Sequence, residues 1–128
     1  MASHLALYAA TLVIFLAIDI VWLKKVAAPM FRRHVGALML EEPRMGVAAL
    51  FYAAYCVGIV YFAGAPAAGD PGAALRDGAL FGLFAYGAYE ATNLATLKGW
   101  TWRMAALDTA WGAVLTGVSA GLAVALVG

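Results

Sequence analysis

The chain has 128 residues, of which 66% are hydrophobic and 12% charged, with a formal net charge of +1. This length fits a single domain over residues 1–128, and the composition indicates a membrane protein. The near-neutral charge predicts no nucleic-acid-binding surface. The one cysteine, Cys56, excludes an intramolecular disulfide and a cysteine metal site.

Four apolar segments, at about 5–23, 47–65, 78–97 and 104–127, are long enough to cross a bilayer core as helices. Such a crossing takes about 20 residues at about 1.5 Å per residue. All the prolines fall between these segments, as expected if every helix must satisfy its own backbone hydrogen bonds. The sequence therefore predicts an all-α fold, a single membrane domain built as a four-helix transmembrane bundle.

The basic residues predict the orientation of this bundle. The connections at 24–46 and 98–103 together hold seven of the eight Lys and Arg residues, whereas the connection at 66–77 holds only Arg76. Under the positive-inside rule, the two basic connections face the cytoplasm and both termini lie on the non-cytoplasmic side. The predicted location is the inner, cytoplasmic membrane of a bacterium.

Two connections have features of their own. Phe31, Val35 and Leu38 recur at helical spacing, which fits either a short helix at about 30–41 on the cytoplasmic membrane surface or a solvated loop. The short connection at 98–103 predicts an antiparallel hairpin of the third and fourth helices. Its Trp100 and Trp102 are typical of the interfacial aromatic belt.

Three acidic residues, Asp19, Glu90 and Asp108, lie inside the predicted spans, which contain no Lys or Arg. A carboxylate at mid-helix costs about 2.5–3.5 kcal/mol on insertion scales. From the helical rise, Asp19 and Asp108 lie about 7 Å and Glu90 about 12 Å from the nearest cytoplasmic basic residue along their helices. The three carboxyls should therefore meet in the cytoplasmic half of the membrane, although interfacial pairing or helix packing would also explain them.

Hydrogen-bonding side chains at helical spacing extend this cluster into a predicted site. Tyr86, Glu90 and Asn93 share one face of the third predicted helix, and a tryptophan stands three residues beyond each aspartate. Tyrosine, tryptophan and asparagine can donate hydrogen bonds to carboxylates when no cation is near. The predicted ligand-binding residues are Asp19, Trp22, Tyr52, Tyr55, Tyr86, Glu90, Asn93, Asp108 and Trp111.

Residues 18–22 (IDIVW) and 107–111 (LDTAW) repeat the pattern of an aspartate followed three positions later by a tryptophan. The likeness relates the first predicted helix to the fourth, which is a mirror-like order. A duplicated helix pair would leave a tandem order, so the likeness indicates coincidence or shared chemistry. His4 and His34 lie far from each other along the chain, and no metal site or cofactor is predicted.

Four strings carry a family resemblance: FLAIDIVWL at 15–23, LFYAAY at 50–55, YGAYEATNLATLKGW at 86–100 and DTAWG at 108–112. They resemble a bacterial family of small membrane proteins known as domain of unknown function 2177, over roughly residues 8–117. The resemblance implies a four-helix inner-membrane protein and no established activity. In that family's pattern, aspartate is usual at the position of Glu90.

The leading functional hypothesis is a binding or transport protein for a small cationic or amphipathic molecule, a lipid or protons. Glu90 and Asn93 would make the principal contacts, and Asp19 and Asp108 would flank them. An accessory or assembly subunit of a larger membrane complex is the first alternative, and a homodimer is also open. A lipid-modifying enzyme is the second alternative, and the absence of a nucleophile motif counts against enzymatic activity.

Overall fold

The computed structural model describes residues 3–41 and 44–128, and every regular element in these ranges is helical. The predicted all-α fold is confirmed. Glu42 and Pro43, which belong to the predicted cytoplasmic connection, lie outside the described residues, as do the first two residues. The helices are α1 (His4–Trp22), α2 (Ala28–Val35), α3 (Met45–Ile59), α4 (Pro71–Thr96) and α5 (Trp102–Val127).

Three helical segments are long and apolar enough to cross a membrane: His4–Leu38, Met45–Gly64 and Trp102–Val127. The fourth long helix, α4, has 26 residues but is not in this set. It carries Arg76 and Asp77 near its start and Glu90 farther along, and these charges lower its mean hydropathy. The apolar helices establish a membrane protein, and the number of crossings stays a prediction.

The first helical segment extends beyond the predicted end at about residue 23 and continues past Pro29 to Leu38. A π turn, Leu23–Ala27, follows α1 directly and leads into α2, and a 3₁₀ turn, Gly36–Leu38, completes the segment. The Ala28 N–H donates to the carbonyl of Leu23, five residues back. This register change places Pro29 in the first turn of α2, where a missing N–H is tolerated.

Close contact between α4 and α5 depends on glycine. A Cβ added to Gly82 would overlap the carbonyl oxygen of Gly112, and one added to Gly78 would lie 2.9 Å from the carbonyl oxygen of Thr116. Gly117 is equally close, since its Cβ would lie 2.9 Å from the Leu75 carbonyl oxygen. These glycines therefore serve the packing of two helices within one chain.

The remaining helices meet most closely at one end of the bundle. A second π turn, Val60–Gly64, extends α3 and packs against α1, α4 and α5. Before this turn, α3 makes most of its close backbone contacts with α1, and Tyr55 of α3 packs its ring against Phe81 of α4. This leaves space between α3 and α4 in the half of the bundle that contains Asp19, Glu90 and Asp108.

Glycine at the α4–α5 contact can be tested with two identical substitutions. Gly82→Ala should destabilise the protein by about 1–3 kcal/mol, because the new methyl group overlaps backbone of α5. Gly46→Ala is the control, since Gly46 is exposed on α3 with nothing within 4 Å of an added Cβ. It should be neutral or stabilising by up to about 1 kcal/mol. Thermal unfolding in detergent measures both; equal midpoints would contradict the packing described here.

Candidate functional site

Three carboxyl groups from three helices lie together in the interior. Asp19 on α1, Glu90 on α4 and Asp108 on α5 have exposed fractions of 3%, 0% and 8%. Asp108 lies near both of the others, so the three carboxyls form one group. The helices bring these side chains together at the end of the bundle that holds the 97–101 loop.

The Asp19 carboxylate accepts a hydrogen bond from an indole of another helix. Trp111 Nε1 on α5 donates to Asp19 Oδ1 at 3.1 Å, and the Tyr52 hydroxyl lies beside the same carboxyl group. The Trp111 ring is held by parallel stacking on Trp22, with centroids 4.5 Å apart and planes 5° from parallel. The two repeated aspartate–tryptophan patterns therefore pair with each other across α1 and α5.

Glu90 has a different donor, which comes from the loop between α4 and α5. Trp100 Nε1 donates to Glu90 Oε1 at 2.7 Å. Gly99 turns the chain at φ +83°, and the Trp100 ring packs against Phe31 of α2 at a centroid distance of 5.2 Å. Glu90 Oε2 and Trp22 Nε1 are buried and have no hydrogen-bond partner among the described residues.

The negative charge of this group is not offset by a basic side chain. Within residues 3–41 and 44–128 the one ion pair joins Arg76 and Asp77, at 3.0 Å, near the opposite end of α4. Burying unpaired carboxylates is costly, and indole donors offset that cost only in part. The group therefore needs protons or a bound cation to neutralise part of its charge.

A cavity of about 640 Å³ opens beside this group. Asp19 and Asp108 contribute its carboxyl groups, and most of the rest of its wall is aromatic. Aromatic ring faces attract cations, so such a wall complements the two carboxyls. The other lining residues are Trp22, Leu23, Ala27, Phe31, Phe51, Tyr52, Tyr55, Phe81, Ala85, Tyr86 and Tyr89.

Six of the nine predicted site residues line this cavity: Asp19, Trp22, Tyr52, Tyr55, Tyr86 and Asp108. Trp111 stands behind Asp19 as its hydrogen-bond donor. Glu90 lies behind Asp108, against Trp100, and Asn93 is half-buried on α4 and does not line the cavity. The structure thus places the two aspartates, rather than Glu90 and Asn93, at the cavity wall.

Several residues of the site were not predicted. Phe51 precedes Tyr55 by four positions, and Phe81 and Tyr89 lie on one face of α4 with Ala85, so helical spacing could have indicated them. Trp100 was predicted to sit in the interfacial belt. Its contact with Glu90 depends on the path of the 97–101 loop, which has no periodicity from which a position could be predicted.

The cavity wall is fixed by a buried polar contact as well as by ring packing. The hydroxyl groups of Tyr55 and Thr116 are 2.9 Å apart, and this hydrogen bond ties α3 to α5. Tyr55 also packs against Phe15 and Phe81, with ring centroids 5.5 Å and 5.3 Å away. In the part of the chain that the structure describes, no group of three histidine, cysteine, aspartate or glutamate side chains is placed to hold a metal ion.

The family model described as "Predicted membrane protein (DUF2177)" matches residues 4–125 of the chain. That match spans nearly the whole sequence. It includes α1 to α4, all but the last two residues of α5, and all three buried carboxyls. No curated protein and no solved structure shows a match.

The Trp100–Glu90 hydrogen bond can be tested against a neighbouring tryptophan. Trp100→Phe should lower the free energy of unfolding by about 1–3 kcal/mol, since it leaves a buried carboxyl oxygen without a donor. Trp102→Phe is the matched control, because Trp102 is 81% exposed, and it should leave the unfolding midpoint nearly unchanged. A similar effect of both substitutions would show that the bond contributes little.

Proposed function

We propose that this chain, a member of the DUF2177 family of predicted membrane proteins, binds a small organic cation. As a membrane protein it contacts the lipid bilayer. The ligand would be partly apolar and would occupy the aromatic cavity, with Asp19 and Asp108 as its counter-charges. Exchange of this cation against protons would make the protein a carrier. The observation that supports the proposal is a largely aromatic cavity holding two carboxyls that lack a cationic partner among the described residues.

The chemistry of the wall favours a cation over a neutral or anionic ligand. An anion would face two carboxyl groups, and a neutral apolar molecule would leave their charge unpaired. A cation positioned over aromatic rings gains about 0.5–2 kcal/mol per good contact, in addition to its attraction to the aspartates. The volume of about 640 Å³ is within the range of small-molecule sites.

The cavity opens sideways between α3 and α4. Phe51 on α3 and Tyr89 on α4 line it and are 56% and 55% exposed, so they form its rim. Since the backbone of α4 approaches this part of the chain most closely at Val60–Gly64, the rim faces the surrounding lipid if both helices cross the membrane. A ligand with an apolar portion can then enter from the bilayer, which favours amphipathic cations.

We also propose that α1, α3, α4 and α5 all cross the inner membrane of a bacterium, with both termini on the non-cytoplasmic side. Lys24, Lys25, Arg32 and Arg33 stand at the same end of the bundle as Lys98 and Arg103, and Arg76 stands at the other. The positive-inside rule supports this orientation. In this orientation the three buried carboxyls lie in the cytoplasmic half of the membrane.

Cation binding can be measured by equilibrium dialysis of tetraphenylphosphonium against the full chain in detergent. Asp19→Asn should weaken binding about tenfold or more, because a buried charge pair contributes more than about 1.4 kcal/mol. Asp77→Asn is the control, since Asp77 is half-buried and paired with Arg76 at the other end of α4.

Unchanged tetraphenylphosphonium affinity in Asp19→Asn would contradict the proposed site. Absence of binding by the native protein, together with a stoichiometric partner chain after gentle extraction, would favour an accessory subunit of a larger complex.

The crossing of α4 can be tested with single cysteines in a Cys56→Ala background. Ala68→Cys, in the turn before α4, should react with a membrane-impermeant maleimide from the non-cytoplasmic side. Lys98→Cys, in the loop after α4, should react only after permeabilisation. Both positions are exposed, so labelling of the two from the same side would show that α4 does not cross.

A further inference from the structure

A second cavity, of about 420 Å³, lies between the segment made by the first π turn and α2 and the start of α5. It shares no lining residue with the aromatic cavity. Four basic side chains line it: Lys25, Arg33, His34 and Arg103. No acidic residue is among its lining, so its charge is opposite to that of the first cavity.

We propose that this second cavity binds the phosphate of an anionic phospholipid. Two arginines can present paired N–H groups to phosphate oxygens, and lysine adds a compact charge. Val26, Met30 and Leu107 supply an apolar side on which the start of an acyl chain can lie. Basic pockets between membrane helices at the cytoplasmic surface are suited to anionic headgroups.

The basic residues reach this cavity from two distant parts of the sequence. Gly99 makes the meeting possible: its φ is +83°, and a Cβ there would lie 2.7 Å from the carbonyl oxygen of His34. The 97–101 loop is thereby seated on the end of α2. His34 Nδ1 donates to the Met30 carbonyl at 2.9 Å, which holds the imidazole against α2.

Neighbouring basic residues that do not line the cavity distinguish a built site from general surface charge. Lys24 and Arg32 are adjacent in sequence to Lys25 and Arg33. All four side chains are exposed, and only Lys25 and Arg33 line the cavity. They contribute equally to the overall attraction of an anionic membrane surface. A specific headgroup site therefore predicts different effects of substitution within each adjacent pair.

The experiment is native mass spectrometry of the full chain in detergent, titrated with phosphatidylglycerol or phosphatidylcholine. Phosphatidylglycerol should bind with one saturable site and more tightly than phosphatidylcholine. Arg33→Gln with Arg103→Gln should weaken it about tenfold or more, the loss expected when charge-assisted hydrogen bonds are removed. Lys24→Gln with Arg32→Gln should leave its affinity within about twofold.

Equal weakening by both double variants, or equal affinity for the two lipids, would overturn the proposal. Displacement of phosphatidylglycerol by millimolar inorganic phosphate would overturn it in favour of a free-phosphate site. Lys25 is exposed, so Lys25→Gln should fold normally. It should measurably lower the affinity for phosphatidylglycerol even if the Arg33/Arg103 double variant does not fold. Tetraphenylphosphonium binding by the same samples is independent of these outcomes, so the two cavities are tested separately.

Discussion

Three carboxyl groups lie in the interior of this membrane protein without a cation beside them, and the free-energy cost of burying them constrains the surrounding structure. Asp19, Glu90 and Asp108 are almost fully buried, and the described residues offer them indole and phenol donors but no basic partner. A chain selected only for helix packing has no reason to keep such a group, because leucine at these positions would insert and pack at lower cost. The cost of keeping this group is the reason for proposing that it binds a cation.

The same constraint accounts for the aromatic residues around the carboxyls. Trp111 and Trp100 each donate to a carboxyl oxygen, and the stack of Trp22 on Trp111 fixes the first of these donors. Neither indole carries charge, so the carboxyls are oriented without being neutralised. The rings also form the wall of a cavity suited to a cation. The residues that hydrogen-bond the carboxyls and the residues that form the cavity wall therefore overlap.

Apolarity and helical spacing were sufficient to predict an all-helical fold and the meeting of the three buried carboxyls. The all-helical fold and the family are confirmed, and the three carboxyls from separate helices do lie together. The path of the chain between helices could not be predicted in the same way. The apolar segment at about 5–23 predicts a helix that ends before Lys24, but a π turn continues this helix into α2. Gly99 likewise turns the loop that brings Trp100 to Glu90.

Within the site, helical spacing placed Glu90 and Asn93 on one face of α4, but it could not say which neighbour that face meets. Glycines on both helices bring α4 and α5 so close that Glu90 is enclosed against Asp108 and Trp100. The cavity consequently opens on the other side, toward α3, where Phe51 and Tyr89 form its rim. Which residues line the cavity, and on which side it opens, depends on packing between helices. The spacing of residues within one helix does not predict that packing.

The most direct test of the central claim is the number of protons released when a cation binds, measured by titration calorimetry in buffers of different ionisation enthalpy. If protons and cation neutralise the same buried carboxyls, tetraphenylphosphonium binding should release up to about one proton per cation near neutral pH. Asp19→Asn should reduce that release. Binding that releases no proton anywhere between about pH 5 and pH 8 would contradict the account.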